Sequence, residues 1–114
     1  MKRILITISL ITILTGCISE NLGTIKELEE KLETVTTSED ERIILQDLLN
    51  IAIENPEINM ILDAKDKNNN EVINNLSEAT EPINVTIRFY SKYWSKKINF
   101  TPLEKENVYI LMQE

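Results

Sequence analysis

Histidine is absent from this chain of 114 residues, and cysteine occurs once, as Cys17. Without histidine the commonest general base and metal ligand is missing, so serine triads and zinc sites of the usual composition are excluded. A lone cysteine closes no disulfide within the chain, and packing alone must hold the fold. Basic residues are also scarce, 12 against 19 acids, for a formal net charge of −7. That balance repels nucleic acid and anionic lipid, and no nucleic-acid partner is expected. Carboxylates could still do acid-base work, yet they are spread over helix faces and no pair stands out. The chain therefore reads as non-enzymatic.

Two positive charges, Lys2 and Arg3, precede an apolar or hydroxylated run from Ile4 to Leu14, and no acid occurs before Glu20. This is the order of a secretory signal. Eleven helical residues cover only about 16 Å, roughly half of a hydrocarbon core about 30 Å thick, so the run is too short for a permanent span. Leu14-Thr15-Gly16-Cys17 follows directly. These four residues resemble the lipobox of prokaryotic lipoproteins: an aliphatic residue, two small residues and a cysteine. The resemblance covers residues 1–17 only. It implies cleavage after Gly16, a diacylglyceryl group on the Cys17 sulfur and optional acylation of the new amino group. No other cofactor is expected. Two acyl chains anchor far more durably than one, at about 0.8 kcal/mol per buried CH₂. The implied location is extracytoplasmic, on the cell membrane or the outer membrane.

Without the signal, residues 1–16, there remain 98 residues, enough for one domain with a modest core. Lys2 and Arg3 leave with it, so 10 bases face 19 acids, a net charge of −9. Residues 17–81 hold 16 acids and 5 bases, whereas residues 82–114 hold 3 acids and 5 bases. The two parts are expected to face different surroundings. Residues 17–23 read as a lipidated tether and residues 24–114 as a single domain.

Thr24-Ile25-Lys26-Glu27 has the form of a capping box, and Ile25, Leu28, Leu32 and Val35 then recur at helical spacing, predicting a helix over 25–35. Ser38-Glu39-Asp40-Glu41 is a second capping box, opening a helix over 39–54 with a broad apolar face that suits the centre of a core. Asn55-Pro56 supplies an N-cap and a first-turn proline, predicting a third helix to Lys65. Val72, Ile73, Leu76 and Ala79 fit a fourth short helix. Beyond Pro82, Ile83 to Phe89 alternates apolar and polar as a half-buried strand does, and Ile98 to Thr101 alternates as well. Val108 to Met112 is a short apolar run read as a further strand. The expected class is α+β: three to four short N-terminal helices packed on a small C-terminal antiparallel sheet of two or three strands.

Three features are site-like. Asp66, Asn68, Asn70, Val72 and Ile73 fall where an EF-hand loop places its ligands and its aliphatic residue, and the segment resembles such loops to that extent. Glu71 stands where glycine is needed and Ser77 where a bidentate carboxylate is needed. Any calcium affinity would be weak, and the plain alternative is an Asn-rich turn. A second cluster, Tyr90, Lys92, Tyr93, Trp94, Lys96 and Lys97, interleaves rings and bases. It suits an envelope protein, a glycan or the bilayer interface, against the plainer reading of a strand pair whose rings pack inward. Asn75-Leu76-Ser77, Asn84-Val85-Thr86 and Asn99-Phe100-Thr101 match the N-glycosylation pattern, one or two of which chance would supply in so Asn-rich a chain. The leading expectation is a membrane-anchored envelope interaction module. The alternative is a weak calcium-binding accessory lipoprotein using loop 66–78.

Overall fold

The computed structural model describes residues 20–80 and 82–113. The signal and its lipobox residues Leu14, Thr15, Gly16 and Cys17 lie outside the described residues. The first helix, α1, is already helical at residue 20 and runs to residue 34. Residues 20–23 therefore belong to a helix and not to a tether. The reason lies in Thr24, which does not cap: its hydroxyl donates to the Glu20 carbonyl one turn back, inside a continuing helix. Ile25, Leu28 and Leu32 form the expected buried stripe. Val35-Thr36-Thr37 ends it, because three β-branched residues in succession disfavour helix.

Helix α2 spans Ser38–Glu54, with Thr37 as its N-cap, accepting from the Asp40 N–H at 3.2 Å. Glu39, Asp40 and Glu41 sit at its positive end. Ile44, Leu45, Leu48 and Leu49 are buried, each such side chain worth about 1.5–3 kcal/mol. The Asn55 side chain closes the helix, its Nδ2 donating to the Ile51 carbonyl at 2.8 Å.

The expected third helix is a strand, β1, Asn59–Lys65. Asn55-Pro56 makes a turn, with the Ile58 N–H bonded to the Asn55 carbonyl at 2.9 Å, and starts no helix. Met60, Leu62 and Ala64 then face the core at period two. Seven-residue antiparallel pairing with β2, Asn84–Tyr90, decides the matter, since it satisfies the backbone along one whole edge of β2. The other edge of β2 pairs with β3, Ser95–Phe100. The sheet order is β1-β2-β3. Val85, Ile87 and Phe89 are buried on its inner face under the helices.

Between β1 and β2 a 3₁₀ segment, Ile73–Glu78, stands where the fourth helix was expected and buries Leu76. The last apolar run is not a strand. Val108–Leu111 is a single helical turn, α3, entered from a 3₁₀ turn at Lys105–Asn107. Val108 and Leu111, three apart, pack on α2. The α+β class stands, with β1 supplying the third strand.

Candidate functional site

Antiparallel alternation sorts the connections into two ends. The start of α1, the α2–β1 turn and the β2–β3 turn share one end, where Asn59, Tyr90 and Ser95 lie in register. The α1–α2 link, the loop after β1 and the segment after β3 share the other. At the first end Asn21 Nδ2 donates to Asn55 Oδ1 at 3.3 Å. Beside them is a hollow of about 210 Å³ lined by Asn21, Glu57, Ile58 and the β2–β3 turn, Ser91 to Trp94. That turn is tight: the Ser91 N–H bonds to the Trp94 carbonyl at 2.8 Å, and the Tyr93 N–H to Ser91 Oγ at 3.2 Å. Lys92 Nζ lies 5.8 Å from the Tyr93 ring centroid.

The six aromatic and basic residues do not form one patch. Lys92, Tyr93 and Trp94 share the hollow, with Tyr93 71% exposed and Trp94 partly packed on the core. Lys96 points inward and pairs with Glu29 of α1 at 2.8 Å. Tyr90 and Lys97 belong to the outer sheet face, which no helix covers among the described residues. There Ile61, Arg88 and Lys97 stand side by side in register, as do Asp63, Thr86 and Asn99. Lys65 and Glu71 border the same shallow concavity. Arg88, not among those six, stands on the same outer face, as its alternation with Ile87 and Phe89 requires. Two of the glycosylation-pattern asparagines are tied to neighbouring chain: Asn99 Oδ1 accepts from the Thr86 hydroxyl of β2 at 2.7 Å, and Asn84 Oδ1 from the hydroxyl of Thr101, just past β3, at 3.2 Å.

The EF-hand-like segment lies between β1 and the 3₁₀ segment and not, as expected, between two helices. Asp66 Oδ1 accepts the N–H groups of Asn68 and Asn70 at 2.8 and 2.9 Å. Asn69 takes the left-handed conformation, φ 68°, which asparagine tolerates. Glu71 bridges back to Lys65. The Asn70 amide above all, with Asn68 and Lys67 adding to it, holds the Asp66 carboxyl below the ordinary aspartate range. Among the described residues no three acidic or cysteine side chains converge as a metal site would require.

No described helix is long and apolar enough to cross a membrane. No curated protein and no solved structure matches the chain. The family model described as the prokaryotic membrane lipoprotein lipid attachment site matches residues 1–17, ending on the sole cysteine. The chain thus carries a lipoprotein lipid attachment site, which marks it as lipid-anchored and extracytoplasmic.

Proposed function

We propose that this lipoprotein is a non-catalytic interaction module of the cell envelope, held at the membrane through Cys17. Its outer sheet face contacts an anionic group of another envelope protein or a glycan. The observation that supports this is the adjacency of Arg88 and Lys97 on an uncovered face. Neither makes an ion pair among the described residues, in a chain that is acidic elsewhere. Two cations fixed on paired strands offer a rigid recognition site that flexible surface lysines lack. Cross-linking in intact cells tests it. Arg88→Glu with Lys97→Glu should abolish capture of the neighbour that the wild type captures, with the protein still present at the membrane. Unchanged capture would overturn the reading.

The calcium alternative draws its support from Asp66, Asn68 and Asn70 meeting in one exposed turn. Against it, one Asp66 oxygen is already occupied by two amides of its own loop. Calorimetry with millimolar calcium decides, and absence of heat removes the alternative.

A further inference from the structure

We infer that the end of the domain nearest the anchor is a bilayer seat, in which the β2–β3 turn and the neighbouring α2–β1 turn rest in the interfacial zone of the membrane that holds the lipid. The inference concerns a surface separate from Arg88 and Lys97, but it shares with the proposed function the attachment at Cys17. Four peptide units separate Cys17 from Asn21, a reach of at most about 14 Å. Asn21 lines the same hollow as Ser91, Lys92, Tyr93 and Trp94. The tip of the hairpin is therefore kept within reach of the headgroup layer whichever way the first residues run.

Chemistry at this end fits an interface of that kind. The two most exposed large hydrophobic residues among those described are Tyr93 at 71% and Ile53 at 61%. Both lie here, Tyr93 at the hairpin tip and Ile53 two residues before Asn55, the partner of Asn21. Tyrosine and tryptophan favour the membrane–water boundary because the ring is apolar and the O–H or N–H is not. Lys92 over the Tyr93 ring can place its stem with the aromatic and its ammonium in the headgroups. Charge does not drive the contact. Glu57 lines the hollow with Lys92 and cancels its charge, and Glu54 ends the helix that leads into the same turn, so rings and not attraction to anionic lipid must supply the affinity. Tyr93 is otherwise unexplained: it fills no core and accepts no side-chain bond from another element. A seat of this kind replaces a swivelling tether by a fixed orientation, with loop 66–70 and the opposite end directed away from the lipid.

Trp94 is the sole tryptophan of the chain and so reports from the seat without labelling. The test uses the full lipidated chain in phosphatidylcholine and in phosphatidylglycerol vesicles, with brominated lipids as quenchers from the membrane side and acrylamide from the aqueous side. Expected is quenching of Trp94 by shallow bromolipid and protection from acrylamide in both vesicle types, unaffected by salt. Tyr93→Ser, whose fold is checked by circular dichroism, should keep the lipid anchor and lose most of the bromolipid quenching. Three results would overturn the seat: no bromolipid quenching in the wild type, quenching confined to phosphatidylglycerol and abolished by salt, or Tyr93→Ser quenched like the wild type. None of these readouts moves with Arg88 or Lys97, so failure here leaves the proposed envelope contact standing, and the reverse.

Discussion

Glu41, in the first turn of α2, receives the backbone N–H of Leu103 on both carboxylate oxygens at 3.0 Å, across 62 positions of chain. Its side chain is 1% exposed. Asn107 completes the arrangement, its Nδ2 lying 3.0 Å from Glu41 Oε1, 3.0 Å from the Ser38 carbonyl and 3.1 Å from the Ser38 hydroxyl. A buried carboxylate surrounded by donors is stable only as a set. The pair clamps the segment after β3 to the start of α2 and sets up α3.

Glu41→Ala leaves the Leu103 amide without its acceptor and takes from Asn107 Nδ2 one of three, the two on Ser38 remaining, which should cost about 2–4 kcal/mol. Asn107→Ala removes one donor while the Leu103 bonds remain, and should cost less. Urea unfolding of both variants checks the order; equal losses would mean that Asn107 and not Leu103 is the main partner.

Why this clamp was invisible in the sequence is physical. Ser38-Glu39-Asp40-Glu41 has the spacing of a capping box, in which Glu41 would turn back on its own helix; the structure gives the cap to Thr37 and spends Glu41 on a contact 62 positions away. Local patterns predict local bonds. The same limit explains β1. Met60, Leu62, Ala64 and Lys65 are good helix formers, and nothing short of pairing with β2 makes them a strand. Val108 to Leu111 errs the other way, since β-branched and aromatic residues suggest a strand while the i, i+3 pair Val108 and Leu111 packs as a helical turn. By contrast the alternation through Val85, Ile87 and Phe89 and the wide apolar face of α2 were legible because burial on one side fixes the period. The composition of the hairpin tip was plain as well, but its place beside Asn21 required a helix already formed before Thr24.

The strand assignment of β1 makes a prediction that a helix would reverse. A helical face through Ile58, Ile61 and Leu62 would bury Ile61, whereas the strand leaves it 48% exposed and buries Ala64 completely. Ile61→Thr should therefore change stability by no more than about 0.5 kcal/mol. Ala64→Leu should cost about 1–3 kcal/mol by overpacking. Thermal unfolding of the two variants separates the cases.

Asp66 predicts a pH dependence confined to its own loop. Its folded-state pKa is lowered, so its contribution is complete above the unfolded value and is lost as pH falls through the folded one, below the ordinary aspartate range. Protonation weakens Oδ1 as an acceptor for Asn68 and Asn70. Hydrogen exchange at those two amides should quicken in strong acid before the sheet opens, and Asp66→Ala should show the faster exchange already at neutral pH. If acid and wild-type exchange rates at Asn68 and Asn70 track the sheet, the loop is held by something other than this carboxylate.

Lys96 and Glu29 tie β3 to α1 at 2.8 Å, and their side chains are only 25% and 21% exposed. This pair lies between the exposed surface, where ion pairs contribute little, and the deep interior, where desolvation cancels the gain. A double-mutant cycle with Lys96→Ala and Glu29→Ala should give a coupling of about 1–2 kcal/mol. The pair also fixes how the hairpin stands against the helix that begins beside the anchor. Lys96→Ala should therefore speed hydrogen exchange at Ser91 to Trp94 while the β1–β2 ladder stays protected. Exchange unchanged at the turn would mean that strand pairing alone orients it. The exchanged pair, Lys96→Glu with Glu29→Lys, should recover much of the lost stability only if the contact is electrostatic and not a matter of the lysine stem filling space.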